Sequence, residues 1–402
     1  MNYSAEEIMQ YIEEEDIKFI RLAFCDVYGR QKNVSVMPGE IRRAFDTGIA
    51  IDASAVDGFG GDVRSDLFLR PNPSTLTRLP WRPEHGGVVR MFCDIIRPDG
   101  TPYECDTRAL LRRAVSAARE CGITFRFGAE MEFYLFRLDE NGDATKIPYD
   151  RAGYMDIAPA DRGENVRREI CLTLEQMGIY PEASHHEEGP GQNEIDFRHS
   201  DPLSAADDSV TFRSVVETIA ARNGLAADFS PKPLDGQPGN GLHINVSASN
   251  TGSLPITDDV IRGILRYIPD MTVFLNSTDD SYKRLGSNKA PRFITWSNEN
   301  RSQLIRRPAA DGEHTRAELR SPDPLANPYL AFALIIYAVL DGMRESLPDV
   351  PPTDVNLFEA DDALLSELHE LPRTLTDAAD IARKSDFVRR HLPASLIEAY
   401  CD

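Results

Sequence analysis

The chain has 402 residues, of which 41% are hydrophobic, and a formal net charge of −21. This length allows a packed core with more than one lobe, while the acidic excess argues against nucleic acids and anionic membranes as partners. The six cysteines have no paired or CxxC spacing, which favours a reducing compartment. The acidic start lacks the pattern of a signal peptide, so we predict a cytoplasmic protein.

The first hundred residues are predicted to form short strands and loops. Residues 18–24 have strand character and run into a hairpin-like turn at residues 26–30. From Asp106 the pattern becomes helical, because Asp106 can cap a helix that Gly122 can end. We therefore predict a small domain of residues 1–100 and a larger domain of residues 101–402.

The larger domain begins with an acidic strand. Glu130 and Glu132 lie two positions apart, so a strand directs both to one face, while Met131 and Phe133 point to the other. One face is thus a candidate site and the other a candidate core. Taken alone, this pair is explained about equally well by a solvated strand face.

A second acidic feature is the turn at residues 185–194, rich in glycine and proline. Glu187 lies on one arm of this turn and Glu194 on the other, and carboxylates held by a tight turn suit a divalent cation. Two later strands add His243 and Glu318 to faces that carry other polar residues. Oxygen ligands with a single imidazole favour magnesium or manganese over zinc, and magnesium suggests a nucleoside triphosphate.

Two further helices complete the pattern. One starts near Ser204 and ends before Gly224, and the other follows Asn327-Pro328, a favourable helix start. The apolar run at residues 329–340 is too short for a membrane span, so it predicts a buried helix beneath the site. Strands and helices alternate irregularly, which predicts an α+β fold.

Several sequence blocks, taken in order, resemble the type I glutamine synthetases, and the chain looks like a short, divergent member of that family. The blocks extend over nearly the whole chain and comprise residues 128–133, 185–197, 231–243, 300–302, 316–324 and 327–329. The resemblance implies a small N-terminal β-grasp domain followed by a catalytic domain with a curved antiparallel sheet. It also implies a ligase of nitrogen metabolism that uses ATP as a co-substrate.

The resemblance implies a ligand set for two or more Mg²⁺ or Mn²⁺ ions. One ion would be held by three glutamates, Glu132, Glu187 and Glu194. The other would be held by Glu130, His243 and Glu318. These are the residues that strand alternation and the acidic turn had already directed towards one site.

The resemblance also assigns roles to glycine, serine and arginine residues. The amino-acid substrate would contact Gly239, Arg284, Arg301 and Arg320, and the nucleotide would contact Ser247, Arg306 and Arg316. Arg301 and Arg306 would be catalytic, because guanidinium groups disperse the charge of a phosphoryl group in transfer. Considered singly, each arginine is more typical of a surface salt bridge, and Gly239 is equally typical of a glycine turn into a strand.

The implied reaction converts a carboxylate, expected to be the γ-carboxylate of glutamate, into an acyl phosphate that ammonia or an amine attacks. Asp52, in the N-terminal domain, would help to bind and deprotonate the incoming ammonium across a subunit boundary. The resemblance therefore implies a homo-oligomer with active sites between subunits. The sequence stops soon after Tyr400, without the tail of dodecameric relatives, so a hexamer or a smaller assembly is also an option.

Two departures from the family pattern concern the substrates, one the acceptor amine and the other the recognition of glutamate. Lys289 stands in the flap where the family has a glutamate, and Pro238 replaces the asparagine that usually precedes the substrate glycine. Both favour an alternative, a γ-glutamyl amide ligase for a larger amine such as a polyamine or alkylamine. A catalytically silent homologue is a further alternative, opposed by the complete ligand set. A guanidino kinase ranks low, since it does not explain the histidine-bearing strand.

Overall fold

The computed structural model describes residues 3–60, 65–82, 85–310, 312 and 315–402. The chain forms two compact units, one of Met1–Leu110 with Glu175–Gly178 and the other of Leu111–Leu174 with Ile179–Asp402. Within the described ranges, no helix is both long and apolar enough to cross a membrane.

The first unit is built on a mixed six-stranded sheet in the order β2-β1-β6-β4-β3, with β5 paired to β6. Its elements are α1 (Ala5–Glu14), β1 (Ile17–Cys25), β2 (Gln31–Val36), α2 (Ile41–Asp46), β3 (Ile49–Asp52), β4 (Asp66–Pro71), β5 (Thr77–Arg78) and β6 (Gly87–Ile96). The predicted hairpin turn is confirmed, because β1 and β2 pair antiparallel. Asp26 Oδ1 closes the turn by accepting from the amides of Tyr28 (3.0 Å) and Arg30 (2.9 Å).

The second unit contains a nine-stranded sheet in the order β13-β14-β15-β12-β7-β10-β9, with β8 and β11 also paired to β7. From the helix that enters it to the last strand, the elements are α3 (Thr107–Glu120), β7 (Ile123–Leu138), β8 (Ala144–Pro148), α4 (Glu164–Gln176), β9 (Pro181–His186), β10 (Gln192–Phe197), α5 (Pro202–Arg222), β11 (Leu225–Asp228), β12 (Leu242–Asn250), α6 (Thr257–Leu275), α7 (Asp279–Arg284), β13 (Trp296–Asn298), β14 (Ile305–Arg307) and β15 (Ala317–Leu319). The helices that follow are α8 (Pro328–Arg344), α9 (Asp362–Leu365), α10 (Leu375–Lys384), α11 (Asp386–His391) and α12 (Ala394–Cys401).

The predicted helices form where their caps are placed. The Asp106 carboxylate accepts from the amide of Ala109 at the start of α3 (3.1 Å). Helix α5 begins slightly before the predicted start, because Asp201 rather than Ser204 provides the cap. Asn327 caps α8, which is buried along most of its length as predicted. The ring of Phe332 on α8 stacks on Phe127 of β7, with centroids 4.3 Å apart, so this helix supports the apolar face of the sheet.

Strand register brings distant polar residues together on the opposite face. On β7 and β10, Glu132 pairs with Glu194, and Glu130 pairs with Asp196. His243 of β12 pairs with Glu130 from the other side of β7. The antiparallel register therefore builds a compact group of acidic residues and one imidazole from segments that are far apart in sequence.

Candidate active site

The acidic face of the sheet lines a cavity of about 450 Å³ in the second unit. The cavity is bordered by ten of the predicted site residues: Glu130, Glu132, Glu187, Glu194, Gly239, His243, Arg284, Arg301, Arg306 and Arg320. It thus combines anionic and cationic walls, which suits substrates that carry carboxylate, phosphate and amine groups.

Glu130 and Glu132 are held in defined orientations. His243 Nδ1 lies 3.3 Å from Glu130 Oε2, and Asn245 Nδ2 donates to Glu130 Oε1 (2.7 Å). Glu132 Oε2 accepts from the amide of Gly241 (2.8 Å) and from Gln192 Nε2 (3.1 Å). Burial opposes the ionisation of Glu130, but the hydrogen bond and charge of His243 prevail and lower the pKa of Glu130 to about 2.

Crowding of carboxylates dominates the other side of the group. Burial, together with the charges of Glu132, Asp196 and Glu187, raises the pKa of Glu194 well above its usual range. Burial and the charge of Glu130 likewise raise the pKa of Asp196 to about 7. Repulsion of this kind is relieved when a bound cation shares the carboxylates.

The residues present fit a divalent cation. Glu130, Glu194 and His243 offer ligand atoms that all lie within 4.8 Å of one another, and His185, Glu187 and Glu194 do the same. Glutamate oxygens with few imidazoles match the preferences of magnesium and manganese. These two groups of residues differ from the two predicted ligand sets. Glu194 belongs to both groups, and His185, which was not predicted as a ligand, belongs to one of them.

Glu318 differs from the other acidic residues. Its side chain is fully buried, and its carboxylate is bound by Arg306 Nε and by Arg320 Nη1 (2.5 Å). His243 Nδ1 lies 3.8 Å from Glu318 Oε1. Although burial opposes its ionisation, the charges of Arg320 and His243 lower the pKa of Glu318. Glu318 therefore anchors two cavity-lining arginines beside the histidine.

Gly239 and Arg284 pack against each other at the cavity wall. A Cβ at Gly239 would lie 2.2 Å from the Pro231 carbonyl and 2.9 Å from Arg284 Cγ, so no side chain fits there. Arg284 is 3% exposed, and its terminal nitrogens donate to the carbonyls of Ser321 (2.7 Å) and Arg320 (3.2 Å). These bonds tie the end of α7 to the residues that follow β15.

A second cavity of about 320 Å³ is lined by Ser247 and Arg316, the other two residues predicted to contact the nucleotide. Arg316 Nε donates to Asn245 Oδ1 (2.9 Å), whose amide nitrogen donates to Glu130. Glu130 and Asp196 line both cavities. The acidic group therefore borders both a pocket with Arg316 and a pocket with Arg301 and Arg320.

Asp52 belongs to the first unit, whereas all the other predicted site residues belong to the second. It is exposed at the end of β3, where its Oδ1 accepts from Ser54 N (3.0 Å) and Ser54 Oγ (2.6 Å). Hydrogen bonds from the side chains of Ser54 and Ser65 lower the pKa of Asp52, so it stays a carboxylate at neutral pH.

Lys289 lies in the segment that the resemblance identifies as the flap. Its ammonium pairs with Glu188, next to Glu187, and lies 5.8 Å from the ring centroid of Tyr154. All four residues line the larger cavity. The ammonium of Lys289 thus contacts a carboxylate and the face of an aromatic ring, the two kinds of group that attract an ammonium ion.

The cavity-lining residues that sequence reasoning missed include Gln192, Asp196 and Tyr154. Gln192 and Asp196 flank Glu194 at two-residue spacing on β10, so the alternation used for Glu130 and Glu132 would have found them. Tyr154 lies on a loop outside the strands, and no periodicity marks it.

Comparisons with known proteins agree with this geometry. The protein-family model of the glutamine synthetase beta-Grasp domain matches residues 16–98. The family model of the glutamine synthetase catalytic domain matches residues 104–402. A glutamine synthetase from Clostridium saccharobutylicum is 42% identical, with 97% of this chain and 91% of the relative covered. One from Methanosarcina mazei is also 42% identical, with 98% and 92% covered.

Solved structures give the same result. A structure described as "GmaS/ADP complex-Conformation 1" superposes with a TM-score of 0.88 at 26% identity, covering 100% of this chain and 94% of that chain. A Plasmodium falciparum glutamine synthetase shares the fold, with a TM-score of 0.87 at 21% identity, covering 100% and 95%. The predicted α+β fold with an N-terminal β-grasp domain and a curved antiparallel sheet is confirmed. The chain belongs to the glutamine synthetase family and is a glutamate–ammonia ligase-like enzyme.

Proposed function

We propose that this chain is an ATP-dependent ligase that joins the γ-carboxylate of glutamate to ammonia or another amine through an acyl phosphate. The observation that carries the proposal is the strand register, which aligns Glu194 with Glu132, and Asp196 and His243 with Glu130. Of these residues, Glu130 and Asp196 line both cavities, one large enough for an amino acid and the other lined by Arg316. The similar structure described as an ADP complex supports nucleotide binding, which we assign to the second cavity.

In this proposal the six predicted ligands hold two or more Mg²⁺ or Mn²⁺ ions. Glu132, Glu187 and Glu194 hold one, and Glu130, His243 and Glu318 the other, with His185 close to Glu187 and Glu194. When bound, such cations neutralise phosphate charge and polarise phosphoryl oxygens.

The chain's own residues then bind and orient the reactants. Arg301 and Arg320 face the cavity that takes the amino acid, and Arg306 lies between the cavity and Glu318. The glutamate γ-carboxylate attacks the γ-phosphorus of ATP and ADP leaves. An amine nitrogen then attacks the acyl carbonyl, phosphate leaves, and the nitrogen loses a proton to a base. The guanidinium groups of Arg306 and Arg320, held by Glu318, stabilise the charge that develops in both steps.

We assign the proton acceptor to Asp52 of a neighbouring subunit. Asp52 is an exposed carboxylate with a lowered pKa on a unit separate from the acidic cavity. A homo-oligomer with active sites between subunits would supply it. A cytoplasmic location stays a prediction from the sequence.

A second candidate function, amide formation with a larger amine, is favoured by the contacts of Lys289. The positive charge of Lys289 lies against Glu188 and over the ring of Tyr154 at the cavity wall. An incoming ammonium ion meets repulsion there, whereas an amine with an apolar body can gain contacts with exposed Tyr154 and Met155.

The deciding experiment is phosphate release from ATP with Mg²⁺ and glutamate, measured against ammonium, methylamine, ethanolamine, putrescine and aniline. We expect release that requires both glutamate and an amine, with saturation by ammonium only at high concentration. Release that is independent of any amine contradicts the ligase proposal. Efficient use of ammonium alone, at low concentration, contradicts the larger-amine alternative.

A further inference from the structure

A buried hydrogen-bonded pair lies behind the acidic turn. His186 is 0% exposed and Asp150 is 6% exposed. His186 Nε2 lies 2.9 Å from Asp150 Oδ1, and its other ring nitrogen, Nδ1, lies 2.7 Å from the carbonyl oxygen of Glu187, both within hydrogen-bonding distance. The imidazole is thereby fixed from both sides, and it holds the backbone of the residue whose side chain enters the cavity.

The Asp150 carboxylate also holds the opposite arm of the turn. Its Oδ1 accepts from the amide of Gly191 (3.0 Å), and its Oδ2 accepts from the amide of Arg162 (2.9 Å). Gly191 has φ +71°, and a Cβ there would lie 2.9 Å from the Leu135 carbonyl, so the backbone at this point has little freedom. One carboxylate thus bridges the two arms that carry Glu187 and Glu194.

A second buried branch reinforces the far arm. Arg167 Nη1 donates to Asn193 Oδ1 (2.7 Å), and Asn193 Nδ2 donates to the carbonyl of Gly191 (2.9 Å). Arg167 Nη2 is itself held by Asp161 Oδ2 (2.6 Å). Because Asn193 precedes Glu194, this branch fixes the start of β10 where the glutamate leaves the turn.

The cluster is not itself a convincing cation site, although ligand atoms of Asp150, Asp161 and His186 lie within 4.8 Å of one another. Both oxygens of Asp150 already accept backbone amides, and both oxygens of Asp161 accept from Arg167. Neither Asp150 nor His186 is among the described residues that line the two cavities.

We propose that Asp150 and His186 are positioning residues, which hold the Glu187–Glu194 turn so that both glutamates can bind one divalent cation. This inference rests on the proposed metal role of those glutamates. Groups behind metal ligands typically change metal affinity by about 10–100-fold when they are removed. The carbonyl of His186 also accepts from the amide of Met155 (3.0 Å), so the pair supports the loop that carries Tyr154.

The test is Mn²⁺ binding to the full chain without ATP or glutamate, followed by electron paramagnetic resonance, with thermal unfolding measured in parallel. We expect Asp150→Asn and His186→Asn to bind Mn²⁺ about 10–100-fold more weakly than wild type. His186→Gln keeps one N–H donor towards Asp150, so it should recover part of the affinity. It also serves as the variant to measure if the other two do not fold.

The matched control is Asp341→Asn. Asp341 makes a buried pair with His391 Nε2 (2.8 Å), and neither residue is among the described residues lining the cavities. This variant should lower the unfolding temperature but leave Mn²⁺ affinity unchanged. If wild type binds Mn²⁺ and the folded Asp150 and His186 variants bind it within about twofold, the positioning role is wrong. If wild type and Glu194→Gln bind Mn²⁺ equally weakly, the metal role in the proposed function is wrong.

Discussion

Single residues at the site have sharply different environments despite similar chemistry. Glu130 lines both cavities and contacts His243 and Asn245, whereas Glu318 is fully buried against Arg306 and Arg320. Removal of Glu318 would leave two largely buried guanidinium groups without their carboxylate, which generally destabilises a fold. Glu130 is therefore the cleaner position at which to test metal-dependent chemistry.

We predict that Glu130→Gln lowers the rate of amine-dependent phosphate release by about 100-fold or more. A group behind a ligand already changes metal affinity by about 10–100-fold, and Glu130 is proposed as a direct ligand. Steady-state kinetics across a range of Mg²⁺ concentrations provide the measurement. Glu140→Gln, which alters an exposed loop glutamate, is the control. Near-normal activity of Glu130→Gln at low Mg²⁺ would contradict the assigned role.

The contacts of Lys289 give a prediction about the acceptor. At ~4 Å and an effective dielectric of ~20, reversing its charge would change its interaction with an ammonium ion by several kcal/mol before screening. The side chain is 59% exposed, so screening reduces this effect to about 1 kcal/mol, or about fivefold. Lys289→Glu should therefore lower the half-saturating ammonium concentration by about fivefold.

The control for this reversal is Lys146→Glu. Lys146 is 61% exposed and pairs with Asp228 (2.7 Å), and it is not among the described residues that line the cavities. Its reversal should leave ammonium saturation unchanged. Equal behaviour of the two variants would show that Lys289 does not influence the acceptor.

At the scale of elements, local signals predicted well what local forces determine. The cap at Asp106 and the apolar run after Asn327 were sufficient to predict α3 and α8. Alternation placed Glu130 and Glu132 on one face of β7. The pairing of Asp196 with Glu130 could not be predicted, because register between strands depends on long-range packing.

A packing contact between α8 and α11 provides a stability test. Burial opposes the ionisation of Asp341, but His391, Arg390 and Arg344 lower its pKa below the usual 3.8. We predict that Asp341→Asn reduces the free energy of unfolding by about 2 kcal/mol, because it replaces charge-assisted hydrogen bonds. Urea unfolding at neutral pH measures the difference between the two proteins.

The pH dependence of this difference has a defined sign. A carboxylate whose pKa is lowered on folding contributes stability above its unfolded value, and this contribution is lost as the pH falls through the folded value. The difference in the free energy of unfolding between wild type and Asp341→Asn should therefore not decrease from about pH 8 to about pH 5. It should shrink only below pH 3.8. If the two proteins had equal free energies of unfolding near pH 6, this account of the ion pair would be wrong.

At the scale of the whole molecule, the predicted site residues are divided between two compact units. Asp52 belongs to the first unit, and the metal glutamates belong to the second. We predict that inactive Asp52→Ala chains and inactive Glu130→Ala chains regain partial activity when mixed oligomers form, because some sites then combine two intact halves. Subunit exchange followed by an activity assay makes the measurement. Absence of recovery in oligomers shown to be mixed would place Asp52 outside a shared site.

The most direct test of the central claim follows oxygen atoms from glutamate to phosphate. If the γ-carboxylate attacks ATP and the amine then displaces phosphate, one carboxylate oxygen leaves with that phosphate. With glutamate carrying ¹⁸O in its γ-carboxylate, we predict that each phosphate released during amine-dependent turnover contains one ¹⁸O atom. Phosphate without the label, formed at the same rate as the amide, would contradict the acyl phosphate route.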